Sequence, residues 1–198
     1  MNIEIMPLAA FILVATFTPG PGNITSAAMG MIYGYRRTLG FLAGIVTGYL
    51  MIMLLCAFLS STLLVIIPSV EPVLRLAGAG YILWLAVGTA RATYNFSSEN
   101  KPPMRFKHGF WLQALNPKAI VFGLTLYTTF LSGITDRPII LAISTFVLAT
   151  VTFFSVSLWA FGGFQVQGYL HLEHIRKGVN FVLFSLLVYC AVTLSGVI

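Results

Sequence analysis

Long apolar runs recur from one end of this 198-residue chain to the other. A transmembrane helix needs roughly 20 consecutive apolar residues to cross about 30 Å of hydrocarbon, and several runs exceed that length. With 58% hydrophobic and only 8% charged residues, the chain has too little polar surface to cover a soluble globule. We therefore predict an all-α integral membrane protein. Six transmembrane helices are expected, at Ile5–Tyr33, Leu39–Ile67, Val73–Arg91, Gly109–Leu131, Pro138–Phe164 and Gly178–Val197.

Basic residues mark one side of these spans. Eight of the 11 Lys and Arg residues lie in the loops after spans one, three and five, two lie on the other side, and Lys118 lies inside span four. Because loops rich in Lys and Arg stay in the cytoplasm, both termini are expected outside it. The net charge of +6 therefore reflects orientation and contact with membrane lipid, and nucleic acid is not an expected partner.

Two proline breaks interrupt the first and fourth spans. One is the run Thr18-Pro19-Gly20-Pro21-Gly22-Asn23, and the other is Asn116-Pro117-Lys118. Proline removes a backbone donor and clashes with the preceding turn, so a break at membrane depth survives only where it is packed in protein or lines a wet cavity. Broken helices at matching positions of two halves indicate a transporter's binding site.

The two breaks also indicate an internal repeat. Pro19 and Pro117 are 98 residues apart in a chain of 198, which is the spacing expected of two three-helix repeats. An odd number of spans in each repeat makes the second repeat enter the membrane from the opposite side, which gives inverted topology. Within one transmembrane domain, we predict a first repeat at residues 1–93, a cytoplasmic linker at 94–108 and a second repeat at 109–198.

The second half of each broken helix is expected to start near the membrane midplane. Asn116 is a good N-cap and Pro117 suits the first helical turn, so the chain there both ends one helix and starts another. The free N–H groups and positive dipole ends of the two new helices would converge, and Lys118 adds a full charge. Such a centre favours an anion, most naturally a carboxylate. The alternative for Lys118 is a side chain that snorkels to the cytoplasmic interface.

No Asp or Glu falls well inside the predicted spans. A substrate cation would lack a counter-ion there, so a substrate ammonium would meet the carbonyl ends of the first half-helices, at residues 15–17 and 113–115, or nearby amides and hydroxyls such as that of Thr25. This composite site suits a neutral zwitterionic amino acid. The expected substrate-binding residues are Thr18, Pro19, Gly20, Pro21, Gly22, Asn23, Ser26, Gln113, Asn116, Pro117 and Lys118.

Glycines recur at four-residue spacing in span two, at Gly40, Gly44 and Gly48. This spacing lines small residues along one helix face and lets another backbone approach closely. Gly78 and Gly80 in span three are expected to act in the same way. Close helix packing inside the bundle is the favoured interpretation, and a subunit contact or a sliding surface for a conformational change is the alternative.

Cysteine and histidine give no sign of a redox or metal centre. Cys56 and Cys190 fall inside spans, where free cysteine behaves as a small apolar residue. His171 and His174 flank Glu173 in a loop, without a third ligand at suitable spacing. No intramembrane His, Asp or Glu is available to activate a serine. We expect no cofactor, no metal and no enzymatic activity.

Four features together resemble the LysE/RhtB family of amino-acid exporters: the break at residues 18–21, the glycine-spaced span two, the run at 77–81 (Ala-Gly-Ala-Gly-Tyr) that opens span three, and the Asn-Pro-Lys break at 116–118. The resemblance covers essentially the whole chain. Residues 53–57 and 187–192 are similar to the branch that exports cysteine and O-acetylserine. One position departs from the family pattern, because Gly22 stands where members usually have Asn.

The resemblance implies export of amino acids or their derivatives from the bacterial cytoplasm across the inner membrane, whereas the charge pattern puts both termini in the periplasm. It also implies coupling to a proton, as in antiport driven by the proton gradient, and often a homodimer. Two other classes of protein stay open. A membrane thiol-disulfide oxidoreductase also uses prolines in paired helices, but it needs cysteines beside Pro19 and Pro117. A channel or scaffold subunit would use the glycine face without binding a substrate.

Overall fold

Helices make up almost all of the computed structural model, which describes residues 5–90, 104–134, 137–169 and 172–195. No β-strand occurs in those ranges, so the predicted all-α class is confirmed. A short π-helix (Leu126–Phe130) and a 3-10 turn (Ser132–Ile134) follow α5. The helices are α1 (Ile5–Phe17), α2 (Pro21–Tyr33), α3 (Tyr35–Ala90), α4 (Phe106–Ala114), α5 (Pro117–Thr125), α6 (Pro138–Gln167) and α7 (Glu173–Ser195).

Two of the described helical segments are each long and apolar enough to cross a membrane. They are the first arm of α3, Tyr35–Leu59, and α6. α1 and α2 form a third span if the bent pair is counted as one. Large apolar side chains are exposed along α6, such as Ile143, Phe146 and Phe154, and an apolar exposed surface of this kind is typical of contact with lipid. The membrane-protein class is therefore confirmed, and the six-span arrangement stays a prediction.

The predicted boundary between spans two and three is wrong. α3 remains helical through residues 67–73 and bends instead at Leu59, where φ is −121° and ψ is 18°. Ser60 and Ser61 follow in the sequence, and helices bend sharply at paired serines or glycines. The chain thus turns from one arm of α3 into the other about eight residues before the predicted end of span two at Ile67.

Other predicted boundaries shift by a few residues. α4 begins at Phe106, inside the predicted linker 94–108, whose residues 94–103 lie outside the described ranges. The Arg105 backbone N–H donates to Nδ1 of His108 at 3.2 Å, so a side chain from the first turn satisfies the residue before the helix. α7 begins at Glu173, five residues before the predicted Gly178, and Glu173 forms an ion pair of 2.7 Å with Lys177.

The buried apolar side chains form two clusters, which follow one another along the long helix α3. Along α3, Phe41 and Ile45 belong to the first cluster and Ile52 and Met53 to the second. The first cluster also takes side chains from α2, α4 and α7, whereas the second takes them from α1 and α5. In the second cluster the ring of Phe11 on α1 stacks between two rings, those of Phe122 and Phe130, with both centroid distances 5.1 Å. The two helix breaks therefore lie between the two clusters.

Two helix pairs in the first cluster are held by backbone contact at glycine. A Cβ added to Gly44 of α3 would overlap the Phe106 carbonyl of α4, and one added to Gly109 of α4 would overlap a carbonyl of α3. Between α2 and α6, a Cβ on Gly30 or on Gly163 would overlap the main chain of the other helix. Small residues at a crossing let backbones approach to this distance, so α3–α4 and α2–α6 are in direct backbone contact.

The predicted glycine face is only partly a packing surface within this chain. Gly44 and Gly48 lie against α4, where a Cβ on Gly48 would lie 2.8 Å from the Phe110 carbonyl oxygen. Gly40 and Gly80 are exposed, and an added Cβ would meet no described atom within 4 Å. The reason for Gly40 is that α4 begins opposite Gly44. The surroundings of Gly78 lie outside the description.

Candidate substrate-binding site

The first proline break unwinds three residues between α1 and α2. α1 ends at Phe17, α2 begins at Pro21, and the two helix axes differ by 47°. The Thr18 N–H still donates to the Val14 carbonyl at 3.0 Å, whereas Gly20 is extended and acts as N-cap of α2. The break predicted from Pro19 and its neighbours is confirmed.

Asn23 stabilises this break from inside α2. Its Nδ2 donates to the carbonyl oxygens of Thr16, at 2.9 Å, and of Thr18, at 3.0 Å. Proline leaves carbonyl groups at such a break without their helical donors, and a buried carbonyl without a donor is costly. The side chain of Asn23 is 7% exposed, so its amide is committed to the backbone of the protein.

α6 supplies the remaining donors to the end of α1. The Ser155 hydroxyl donates to the Thr16 carbonyl at 2.9 Å, and the indole N–H of Trp159 donates to the Phe17 carbonyl at 3.3 Å. Thr16 therefore accepts two hydrogen bonds, which uses both lone pairs of its oxygen. The carbonyl end of α1, which was expected to receive a substrate ammonium, is occupied by protein donors at Thr16 and Phe17.

The second break, between α4 and α5, is capped by its own residues. α4 ends at Ala114, and Asn116 is the N-cap of α5 with Pro117 in the first turn, as predicted. The Asn116 Oδ1 accepts the backbone N–H of Lys118 at 3.1 Å, and its Nδ2 donates to Oε1 of Gln113 at 3.4 Å. One free N–H group at the N-terminus of α5 thus donates to Asn116, whereas no side chain caps α2.

The two breaks face each other across a short gap. The Lys118 Nζ lies 3.4 Å from the position that a Cβ on Gly20 would occupy. The Gln113 Oε1 lies 3.6 Å from the corresponding position on Gly22. The Lys118 ammonium is therefore directed at the uncapped N-terminus of α2. Gly20 and Gly22 have no side chains that would keep Lys118 and Gln113 away from this N-terminus.

A cavity of about 60 Å³ occupies the space between the breaks. Its lining includes eight of the eleven residues expected to bind substrate; Pro19, Ser26 and Pro117 do not line it. The Ser26 hydroxyl instead donates to the Gly22 carbonyl at 2.7 Å. The eight are Thr18, Gly20, Pro21, Gly22, Asn23, Gln113, Asn116 and Lys118.

The rest of the lining comes from helix faces that sequence reasoning did not select. α1 adds backbone and side-chain atoms at residues 15–16, and the two long helices add a polar residue each, Tyr49 of α3 and Thr152 of α6. The only signal for these two was a polar side chain in an apolar span, which many residues share. The remaining lining residues are Ile45, Ala119, Phe122 and Val156.

The electrostatics of the cavity favour an anion. Among the described residues that line it, Lys118 alone carries a charge. The N-terminus of α2 adds the positive end of a helix dipole, and its N–H groups are natural donors to a carboxylate. A zwitterion fits this field if its carboxylate lies toward Lys118 and its ammonium toward a neutral oxygen.

Cys56, the cysteine whose side chain is described, does not lie at the breaks. Cys56 is buried between α3 and α5, with its Sγ 3.9 Å from the Ile120 carbonyl oxygen, and it does not line the cavity. The side chain of Cys190 and the whole of His171 lie outside the description, and His174 is exposed. In the described ranges no group of three potential metal ligands comes together.

Among known protein families, one matches almost the whole chain. The family model of LysE-type translocators matches residues 13–195. The chain belongs to the LysE-type translocator family. A translocator of this kind is a membrane transporter and not an enzyme, and the resemblance predicted from the breaks at 18–21 and 116–118 is confirmed.

Among its relatives, this LysE-type translocator is similar to curated efflux proteins along nearly its whole length. It is 35% identical over 190 residues to a cysteine/O-acetylserine efflux protein of Salmonella typhimurium, covering 94% of this chain and 96% of the relative. It is 36% identical over 182 residues to the cysteine/O-acetylserine efflux protein of Escherichia coli, covering 92% of each. No solved structure matches it significantly.

Proposed function

We propose that this LysE-type translocator is a secondary exporter of small neutral amino acids or their derivatives, with cysteine and O-acetylserine as the leading substrates. The observation that supports the proposal best is the convergence of two broken helices on one cavity that contains Lys118 and no carboxylate. Binding sites of secondary transporters occur at such pairs of broken helices. The substrate class follows from what the relatives are named for.

The substrate carboxylate binds between α2 and α5 in this proposal. The uncapped N-terminus of α2 donates its backbone N–H groups, and the Lys118 ammonium provides the counter-charge from the other side. Gly20 and Gly22 leave room for the carboxylate, because a Cβ on Gly20 would already lie in contact with Nζ of Lys118.

The substrate ammonium binds the Gln113 side chain. The carbonyls of Thr16 and Phe17 already accept hydrogen bonds from Asn23, Ser155 and Trp159. The Gln113 Oε1 lies beside Gly22, and it accepts one long hydrogen bond, of 3.4 Å, from the Asn116 side chain. An ammonium would replace that weak donor with a charge-assisted hydrogen bond.

The size of the cavity favours short side chains. Its volume of about 60 Å³ is room for about two water molecules, each of which occupies roughly 30 Å³ in the liquid. Sites for drug-sized ligands are on the order of 300–1,000 Å³. A large aromatic or basic side chain would need the cavity to expand most, the acetyl group of O-acetylserine would need a smaller expansion, and the short side chain of cysteine or serine would need the least.

Transport by alternating access requires an arrangement in the membrane that also belongs to this proposal. We place the chain in the bacterial inner membrane with six spans in two inverted repeats, both termini in the periplasm, proton-driven export and a homodimer. The broken helices α1–α2 and α4–α5 support the repeat, because each half of the chain contributes one. The surplus of Lys and Arg in three of the loops supports the orientation.

Counterflow in liposomes tests the proposal. Purified protein is reconstituted in vesicles loaded with unlabelled substrate, and uptake of the labelled form is measured for cysteine, O-acetylserine, threonine, homoserine, leucine and arginine. An exporter of small neutral amino acids gives transient, saturable accumulation of the short neutral members. Vesicles loaded with buffer provide the control, because exchange needs substrate on both sides.

The two other classes predict different results in the same vesicles. A channel equilibrates the label without accumulating it and without saturation. A scaffold subunit exchanges none of the six compounds. A thiol oxidoreductase is also disfavoured by geometry, since Cys56 lies against α5 and outside the cavity.

A further inference from the structure

Two residues that line the cavity have hydroxyl groups without a hydrogen bond of normal geometry. They are Tyr49 OH and Thr152 Oγ1, in residues that are each only 5% exposed. The two hydroxyls lie within reach of each other, in a contact of poor geometry, and neither makes a normal hydrogen bond with any described residue. Buried polar groups are almost always satisfied, so a pair left with only this poor mutual contact beside a cavity points to a ligand.

The hydroxyl of Thr152 differs from those of the threonines before it on the same helix. A threonine in a helix usually satisfies its hydroxyl with a carbonyl three or four residues earlier. On α6, Thr145 donates to the Ala142 carbonyl at 2.7 Å and Thr150 donates to the Phe146 carbonyl at 2.9 Å. Thr152 makes no such bond among the described residues and lines the cavity instead.

Tyr49 differs in the same way from the nearest comparable tyrosine. Tyr127 is also fully buried, and its hydroxyl lies 3.0 Å from Ser144 Oγ, away from the cavity lining. The hydroxyls of Thr25 and Ser157 also lack described partners, but neither lines the cavity. The combination of burial, a missing partner and a place in the cavity wall is therefore found at Tyr49 and Thr152 within the described part of the chain.

The pair belongs to different helices from the charged groups. Lys118, Gln113 and the N-terminus of α2 belong to the broken helices, whereas Tyr49 and Thr152 belong to the long helices α3 and α6. The Tyr49 ring packs against Phe122, with centroids 6.4 Å apart, within the second cluster. An amino acid held by its charged groups on the broken helices would leave its side chain free to reach α3 and α6.

We propose that Tyr49 and Thr152 together recognise the polar group of the substrate's side chain and so determine selectivity. The inference rests on the proposed function and deepens it. A tyrosine hydroxyl donates to an ester carbonyl, and a threonine hydroxyl can donate to or accept from a hydroxyl or thiol. Side chains that end in an oxygen or sulfur atom satisfy the pair, whereas an alkyl side chain of equal length leaves both hydroxyls unsatisfied.

The test compares competitors that differ in one group. O-Acetylserine, serine and α-aminobutyrate, in which a methyl group replaces the hydroxyl or thiol, compete against labelled serine in counterflow. The variants are Tyr49→Phe and Thr152→Val, which remove a hydroxyl and keep the shape. Loss of one hydrogen bond should weaken the polar competitors by about 3- to 10-fold. α-Aminobutyrate should change by less than about 2-fold, so the ratio between polar and apolar competitors falls.

Controls separate recognition from folding. Tyr127→Phe removes a buried hydroxyl outside the cavity and should leave the ratio at the wild-type value. Thr152→Ser keeps the hydroxyl and should restore the ratio that Thr152→Val loses. An unchanged ratio in both cavity variants, or an equal loss for all three competitors, would overturn this inference and leave the exporter intact. Wild-type protein that exchanges none of them would overturn the exporter proposal first.

Discussion

The charge of Lys118 provides the sharpest test of the carboxylate site. Lys118→Met removes the ammonium and keeps most of the length of the side chain. Because Nζ lies within contact distance of Gly20 at the N-terminus of α2, a bound carboxylate would form a charge-assisted hydrogen bond with it. Removing a hydrogen bond to a charged group costs about 1.5–3 kcal/mol. At about 1.4 kcal/mol per factor of ten, half-maximal exchange should need about 10- to 150-fold more substrate.

The measurement is counterflow of labelled serine at increasing external concentration, with Lys107→Met as the matched control. Lys107 is an exposed lysine in the first turn of α4, so its replacement should leave the half-maximal concentration unchanged. Serinamide lacks the carboxylate, so it should compete against labelled serine equally weakly in vesicles with the wild type and in vesicles with Lys118→Met. Equal half-maximal concentrations in the wild type and Lys118→Met would refute the carboxylate role and favour a lysine that snorkels to the interface.

Three further outcomes follow from contacts at glycine and serine. Gly44→Ala must separate two backbones and should lower stability by about 1–3 kcal/mol, seen as a lower melting temperature in detergent, whereas Gly40→Ala should match the wild type; equal melting would contradict the described crossing. Gly22→Ala adds a methyl group with ordinary contacts of 3.6–4.0 Å where the charged groups of the substrate are proposed to bind, so folding should persist while alanine, serine and O-acetylserine all compete about 10-fold less well; unchanged competition would argue against this cavity as the site. Ser155→Ala removes a donor to the end of α1 and should cost about 1 kcal/mol of stability, measured by the same melts against exposed Ser185→Ala; no difference between the two would mean that the bond adds nothing.

The breaks were predictable because their causes are local. Pro19 and Pro117 exclude a helical hydrogen bond wherever they stand, and Asn116 caps the helix that starts immediately after it. The bend of α3 at Leu59 was missed, because the apolar run continues past it to Ile67 and the two serines that follow the bend are a weak local signal.

The long-range part of the site could not be predicted from the sequence. Ser155 meets the carbonyl of Thr16 across 139 residues of chain, and no pattern within a helix records such a pairing. The same holds for Tyr49 and Thr152, which become distinctive only once the fold leaves their hydroxyls without partners in a shared cavity. The hydrogen bonds of Asn23 to the backbone were missed for a similar reason: its amide was expected to bind substrate, and it also stabilises the break.

The glycine crossings have a mechanical consequence. Helices in backbone contact have no side chains between them that could change rotamer, so α2 with α6 and α4 with the first arm of α3 should each behave as one stiff lever. α1 and α5 join these levers through the unwound breaks and through side-chain contacts, from Ser155 and Trp159 of α6 to the end of α1 and from Cys56 and Met53 of α3 to Gly123 of α5. They meet each other through stacked rings around Phe11. Each ring pair is worth only about 0.5–1.5 kcal/mol beyond its buried area. We expect the compliance of the protein to be concentrated on the α1–α5 side, so that the solute path opens there at the least cost in free energy.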